Sequence, residues 1–180
     1  MGKKSEYYIQ FTSLSDGKHD YHFKIGDTFF AEFDYTDIEG ADLTVDLVLD
    51  KRPNMLVVDF RIEGTLNVMC DRCTDNCDIR VKGQDEIIYK FTEEEIEDEK
   101  IIAVLPNEFG IDVSNPIFEI SSLLLPSKRL HEEGQCNAEM LNAIDDYLIV
   151  EEKQDNQANE ETDQDEDDVD PRWSALKNLK

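Results

Sequence analysis

The chain has 180 residues, 43 of them acidic and 18 basic, so its formal charge at pH 7 is −25. This charge argues against autonomous binding of nucleic acid, because such binding draws most of its affinity from Lys and Arg that neutralise phosphates. A basic partner fits the composition better. The length suits one domain with a core, followed by a tail.

Alternating apolar residues predict strands in the first third of the chain. Apolar side chains at every second position indicate short strands in 7–11 and 21–25. Residues 27–38 carry three phenylalanines, which is typical of a short helix or an irregular aromatic plug. The strongest alternation lies in 43–49 and 56–68. These two segments are predicted to be strands with one apolar and one polar face.

The next stretch continues the sheet. Pro53 and Asn54 lie between the two strongest strand patterns and predict a turn over residues 51–54. Apolar residues that again alternate with polar ones predict a third long strand over 79–91. Gly83 marks a bulge or bend in this strand. The links between these strands are short, which favours antiparallel pairing.

Helical patterns are fewer. Asn115 is suited to cap a helix with Pro116 at its first position, and an apolar stripe follows until Pro126 ends it. Residues 138–148 predict another short helix. The predicted fold class is therefore α+β and mostly β, with an antiparallel sheet or half-barrel closed by short helices.

The composition divides the chain into three predicted segments: a single β-rich domain over 1–150, a disordered acidic linker over 151–170 and a short amphipathic helix over 171–180. The linker has eleven acidic residues and one basic residue, too polar to offset chain entropy by burial. The terminal peptide carries the only Trp of the chain beside basic residues, a composition typical of binding hot spots. The predicted partner-binding residues are Arg172, Trp173, Leu176, Lys177 and Leu179.

Cysteines mark a candidate metal site. Cys70 and Cys73 lie at the tip of the predicted hairpin, and C-x-x-C spacing on a turn lets two thiolates face one zinc ion. Cys136 and His131, which follow the predicted apolar helix, are the leading further ligands, and Cys77 is the alternate. The four leading residues would make a closed structural site that pins the loop after the helix to the hairpin.

Other interpretations of the turn stay open. The cysteines could be metal-free thiols, as expected for a cytoplasmic protein with no secretion signal and no run of 18 apolar residues. A redox turn is less favoured, because we expect Asp71 beside the thiols to raise their pKa. No catalytic residue is predicted. Direct contact with RNA, although disfavoured by the charge, would involve basic residues around the long hairpin, namely Lys51, Arg52, Arg72 and Arg80.

Three motifs together resemble a known family. They are Cys-Asp-Arg-Cys at 70–73, Leu-Leu-Pro at 124–126 and Asp-Pro-Arg-Trp-x-Ala-Leu-Lys-x-Leu at 170–179. The chain resembles the YceD family, the large ribosomal RNA subunit accumulation proteins, as a Bacteroidetes-type member, from about residue 11 to residue 179. Many members carry a second cysteine cluster after the Leu-Pro segment, whereas the region 131–137 of this chain retains only Cys136 and His131 as candidate ligands.

The resemblance implies a cytosolic, non-enzymatic factor in large-subunit assembly and rRNA accumulation. The composition suggests the mechanism, in which an acidic protein binds a basic ribosomal protein or a pre-ribosomal large subunit. The hypothesis from another class is a structural-zinc or thiol-redox protein that uses the Cys70-x-x-Cys73 turn.

Overall fold

A five-stranded sheet forms the framework of the protein. The computed structural model describes residues 6–147, apart from residues 35, 95 and 99. In spatial order the strands of the sheet are β2 (Gly17–Ile25), β3 (Ile38–Arg52), β4 (Met55–Met69), β5 (Asn76–Phe91) and β6 (Ile101–Val104). The first four strands pair antiparallel, whereas β6 pairs parallel with β5.

Smaller elements surround this sheet. A two-stranded ladder joins β1 (Tyr8–Ile9) to β7 (Ile111–Asp112), and a 3-10 turn spans Phe11–Ser13. The helices are α1 (Asp27–Phe30), α2 (Ser114–Leu123) and α3 (Ala138–Tyr147). Among the described helices none combines the length and apolar character that a membrane crossing requires.

The pairing register places the alternating apolar residues of the long strands on one face of the sheet. Leu49 lies opposite Val58, and Val58 lies opposite Ile87. Because facing residues of an antiparallel pair share a face, the whole row is buried together. The prediction of a mostly β fold with short helices is confirmed, and the sheet stays open rather than closing on itself.

Helices cover this apolar face. Phe30 of α1 and Ile117 of α2 are both fully buried. Leu124, just after α2, packs directly on Gly83 of β5, where a Cβ would overlap its side chain. Gly83 therefore allows the end of the helix to pack closely on the sheet. The pairing of β5 with β4 continues through Gly83 without the predicted bulge.

The start of α2 also differs from the prediction. The helix begins at Ser114, whose N–H and hydroxyl both donate to the Asp112 carboxylate at 2.9 and 2.6 Å. Pro116 is consequently the third helical residue. A proline is tolerated there because the first-turn N–H groups have no partner within the helix.

Candidate metal centre

The hairpin between β4 and β5 presents the first two cysteines on a tight turn. The Cys70 N–H donates to the Asp75 carbonyl at 2.9 Å, and the Thr74 N–H donates to the Cys70 carbonyl at 3.0 Å. Thr74 has a φ of 62°, a left-handed conformation that lets the chain reverse here. The turn buries both thiols, since Cys70 is 1% and Cys73 0% exposed.

The loop after α2 lies against this turn through Arg129. The Asp71 N–H donates to the Arg129 carbonyl at 2.7 Å, and the Arg129 N–H donates to the Asp71 carboxylate at 2.7 Å. The Arg129 guanidinium also forms an ion pair with Asp37 at 2.9 Å, at the entry to β3. These contacts hold the segment that contains His131 and Cys136 beside the cysteine turn.

His131 faces the cysteines with one ring nitrogen. Its Nδ1 lies 3.4 Å from the Cys73 Sγ, and its Nε2 lies 3.1 Å from the carbonyl oxygen of Asn76. A carbonyl only accepts, so Nε2 carries the proton and Nδ1 presents a lone pair to the thiols. Metal-bound histidines are commonly oriented in this way, with the second nitrogen donating to a backbone carbonyl.

Cys136 completes the cluster immediately before α3. The next residue, Asn137, donates through Nδ2 to the Asp75 carboxylate at 3.0 Å. Its Oδ1 accepts the N–H groups of Glu139 and Met140 at 3.0 and 3.3 Å, so the same side chain caps the helix. Asn137 thereby links the start of α3 to the hairpin.

The four potential ligand atoms converge. The three Sγ atoms and one ring nitrogen of Cys70, Cys73, His131 and Cys136 all lie within 4.8 Å of one another. A tetrahedral zinc site with bonds of about 2.3 Å separates its ligand atoms by about 3.8 Å, so small side-chain movements would close this set around an ion. Three thiols and an imidazole are a typical donor set for structural zinc.

The surroundings of Cys70 favour the thiolate form of its side chain, which is the form that binds a cation. Burial acts to raise the pKa of Cys70, but hydrogen bonds from the backbone N–H groups of Cys73, Arg72 and His131 lower it to about 6. Burial, followed by hydrogen bonds with the other thiols, raises the pKa of Cys136. The pocket therefore favours one thiolate before any metal arrives.

Cys77, the alternate ligand of the sequence analysis, lies outside this cluster. It is the second residue of β5, opposite Val68, and its side chain is buried in the core with an exposure of 4%. Burial, followed by the nearby Cys70, raises the pKa of its thiol. Its environment is that of a small apolar core residue.

The basic residues considered for RNA contact lie at separate places. The Lys51 ammonium donates to the Leu14 carbonyl at 2.7 Å, and Arg52 forms an ion pair with Asp50 at 2.9 Å. Both residues lie at the β3–β4 turn, whereas the exposed Arg72 lies at the β4–β5 turn. Because β4 has 15 residues, these turns are about 45 Å apart along the strand. Arg80 lies on β5, in the half nearer the cysteine turn.

The predicted linker over 151–170 and terminal helix over 171–180 lie outside the described residues. The same holds for the predicted partner-binding residues Arg172, Trp173, Leu176, Lys177 and Leu179.

Three side chains that build the site are absent from the sequence prediction. The capping role of Asn137 could have been predicted, since an Asn directly before a predicted helix is a common cap. The pairing of Asp71 with Arg129 could not, because residues so far apart in sequence come together only in the folded chain.

Comparison with known proteins gives one match. A family model described as Large ribosomal RNA subunit accumulation protein YceD matches residues 58–180, from within β4 to the end of the chain. This range is more than half of the chain and contains the entire cysteine–histidine cluster, although it begins later than the expected start near residue 11. No curated protein and no solved structure matches the chain. The chain belongs to the YceD family, whose name connects it with accumulation of the large ribosomal RNA subunit.

Proposed function

We propose that this protein is a non-enzymatic cytoplasmic factor in assembly of the large ribosomal subunit, and that it acts by binding a basic ribosomal protein or a pre-ribosomal particle. The family match is the observation that carries this proposal. The family is named for accumulation of the large ribosomal RNA subunit, and it is not a known enzyme family. Membership of the family supports a role in large-subunit assembly. The charge of the chain supports binding by electrostatic attraction to a basic partner.

The charge favours a protein partner over bare RNA. With a net charge of −25, the chain repels phosphate and attracts the Lys-rich and Arg-rich surfaces that ribosomal proteins present before they meet RNA. The dispersed basic residues support the same choice, because two of the four RNA-contact candidates already bond to a carbonyl or a carboxylate. Binding of this kind weakens steeply as salt rises.

We further propose that Cys70, Cys73, His131 and Cys136 bind one structural zinc ion. The donor set, the convergence of its atoms and the orientation of His131 support this assignment. All four protein ligands are available, so no coordination position is left for a substrate, which is typical of structural rather than catalytic zinc. Burial of Cys70 and Cys73 disfavours the thiol-redox alternative, since reactive cysteines are partly exposed.

Cofractionation tests the proposed function. The tagged full-length protein is separated on sucrose gradients of cell extract at low and at high salt. We expect it to migrate with immature large subunits or with a basic ribosomal protein at low salt and to be released at high salt. Migration alone under both conditions, with unchanged levels of large-subunit rRNA after depletion, would overturn the proposal.

Metal analysis tests the zinc proposal separately. Protein purified without chelators should contain one equivalent of zinc. Cobalt substitution should give the intense visible absorption of a tetrahedral thiolate site. A metal-free protein that folds normally and takes up no cobalt would contradict the assignment, whatever the ribosome profile shows.

A further inference from the structure

Among the described strands, β2 lies at the outer edge of the five-stranded sheet. This strand pairs with β3 along all nine of its residues, and no described strand pairs with its other edge. Backbone N–H and C=O groups along such an edge form a template for another strand. The edge is therefore suited to bind an extended segment by main-chain hydrogen bonds.

Two aromatic side chains lie half-covered on the core-facing side of this edge. The rings of Tyr21 and Phe23 are almost parallel, with centroids 6.4 Å apart and an interplanar angle of 5°. Their facing residues on β3, Leu47 and Val45, are buried to 1% and 0% exposure. The apolar face of the sheet thus reaches β2 without being fully covered there.

The charge of β2 differs from the strongly acidic average of the chain. The strand carries Lys18 and Lys24 against a single carboxylate, Asp20, within a chain of net charge −25. Two copies of so acidic a molecule repel each other over most of their surfaces. They approach with less repulsion at an edge strand such as this one, whose own side chains are not acidic overall.

We propose that β2 pairs antiparallel with β2 of a second copy, around a two-fold axis at His22. A two-fold interface is self-complementary, because each contact occurs twice. In this register Asp20 faces Lys24 of the second copy on the polar side. Tyr21 faces Phe23 of the second copy on the apolar side. Opposite charges and aromatic pairs at facing positions both stabilise a sheet.

Neighbouring registers lack this complementarity. An axis at Tyr21 places Lys18 opposite Lys24 of the second copy, and an axis at Asp20 places the two Asp20 carboxylates opposite each other. Like charges at facing positions are destabilising. An axis at Phe23 leaves Asp20 opposite a glycine, so it forms no pair of opposite charges. The axis at His22 pairs each Asp20 with a Lys24. An axis at His19 would pair Asp20 with Lys18, but it would leave Tyr21 opposite Gly17 instead of an aromatic ring.

Charge reversal tests the proposal on the full chain. Sedimentation equilibrium over a range of concentrations should give a mass of twice 20.8 kDa for the unmodified protein. Asp20→Lys and Lys24→Asp should each weaken the dimer about tenfold in Kd, because each replaces two attractive pairs by two repulsive ones. The double variant restores opposite charges at both positions and should restore the dimer.

The matched control is Lys18→Asp. In the proposed register Lys18 faces Gly26 of the second copy, so its reversal should leave the dimer nearly unchanged. Asp20, Lys24 and Lys18 are all exposed, and circular dichroism verifies that each variant folds. A monomer at every concentration would overturn the proposal. So would a dimer that responds equally to Lys18→Asp and Lys24→Asp, or one that the double variant fails to restore.

Cross-linking tests the register independently of stability. In His22→Cys the two introduced thiols face each other across the axis, so mild oxidation should yield a covalent dimer. Lys18→Cys provides the control, since its thiol would lie far from its counterpart. The absence of a covalent dimer for His22→Cys, or equal yields for the two variants, would contradict the axis at His22.

Discussion

Asp71 and Arg129 bind each other through both backbone and side chain, although they lie 58 positions apart. Each donates its N–H to the other, at 2.7 Å in both directions, and the Arg129 Nε lies 3.5 Å from the Asp71 carboxylate. Asp71 lies between the first two cysteines, and Arg129 lies two residues before His131. Their contact therefore aligns the two halves of the cysteine–histidine cluster without help from a metal.

Removing this alignment should weaken metal binding. Asp71→Ala leaves all four ligands in place but frees the segment that carries His131 and Cys136. Loss of an outer-shell partner typically lowers metal affinity 10- to 100-fold, and we expect a decrease of about tenfold in zinc affinity. Competition with a chromophoric chelator measures this change.

The control for this variant is Asp59→Ala, which removes the same charge from the exposed face of β4. We expect its zinc affinity to match that of the unmodified protein. Equal losses in the two variants would mean that net charge, rather than alignment, governs the affinity. Hydrogen exchange at residues 129–136 should also rise in Asp71→Ala alone.

The two candidate third thiols should respond differently. Cys136→Ser removes a ligand of the cluster, so we expect the zinc content to fall well below one equivalent and the melting temperature to fall with it. Cys77→Ala removes a core thiol, so we expect a modest loss of stability and full zinc content. Elemental analysis and thermal unfolding of the two variants measure both effects. Loss of zinc in Cys77→Ala with retention in Cys136→Ser would reverse the assignment.

Gly83 should resist substitution because of Leu124. In Gly83→Ala the added Cβ would overlap the Leu124 side chain, and overpacking of this kind costs about 1–3 kcal/mol in free energy of unfolding. Alanine recovers part of that cost, since glycine in a strand is unfavourable by about 0.5–1 kcal/mol. We expect a net loss of about 1 kcal/mol, measured by urea unfolding.

A double-mutant cycle separates overlap from backbone effects at this position. In the Leu124→Ala background the space beside Gly83 is open, so Gly83→Ala should cost less there than in the unmodified protein. Equal costs in both backgrounds would show that the overlap with Leu124 is not the cause.

Asn137 should control the stability of α3. Asn137→Ala removes the cap and the link to Asp75 together, and loss of a cap costs about 1 kcal/mol. We expect faster hydrogen exchange throughout the first turns of α3. Asn137→Asp keeps the capping oxygen but sets two carboxylates against each other, so it should preserve the helix while weakening the link to the hairpin. Identical exchange profiles for the two variants would contradict this division of roles.

Much of the sheet was predictable because its physical cause is local. A strand with one buried face must alternate apolar and polar residues, and β3, β4 and β5 do so over long segments. The short connections between them then favour antiparallel pairing. By contrast β6 is a run of four apolar residues without alternation, and its parallel pairing with β5 depends on packing that no local pattern records.

Spacing along the chain determined that Cys70 and Cys73 share a turn, because two residues between cysteines at a hairpin tip leave both thiols on one side. Only the tertiary structure decided which thiol joins them. Cys77 is near in sequence, but the alternation of β5 buries its side chain in the core. Cys136 is distant in sequence, yet the contact between Asp71 and Arg129 holds its loop beside the turn. Side-chain direction in a strand is a local property, whereas the docking of a loop depends on contacts between residues far apart in the chain.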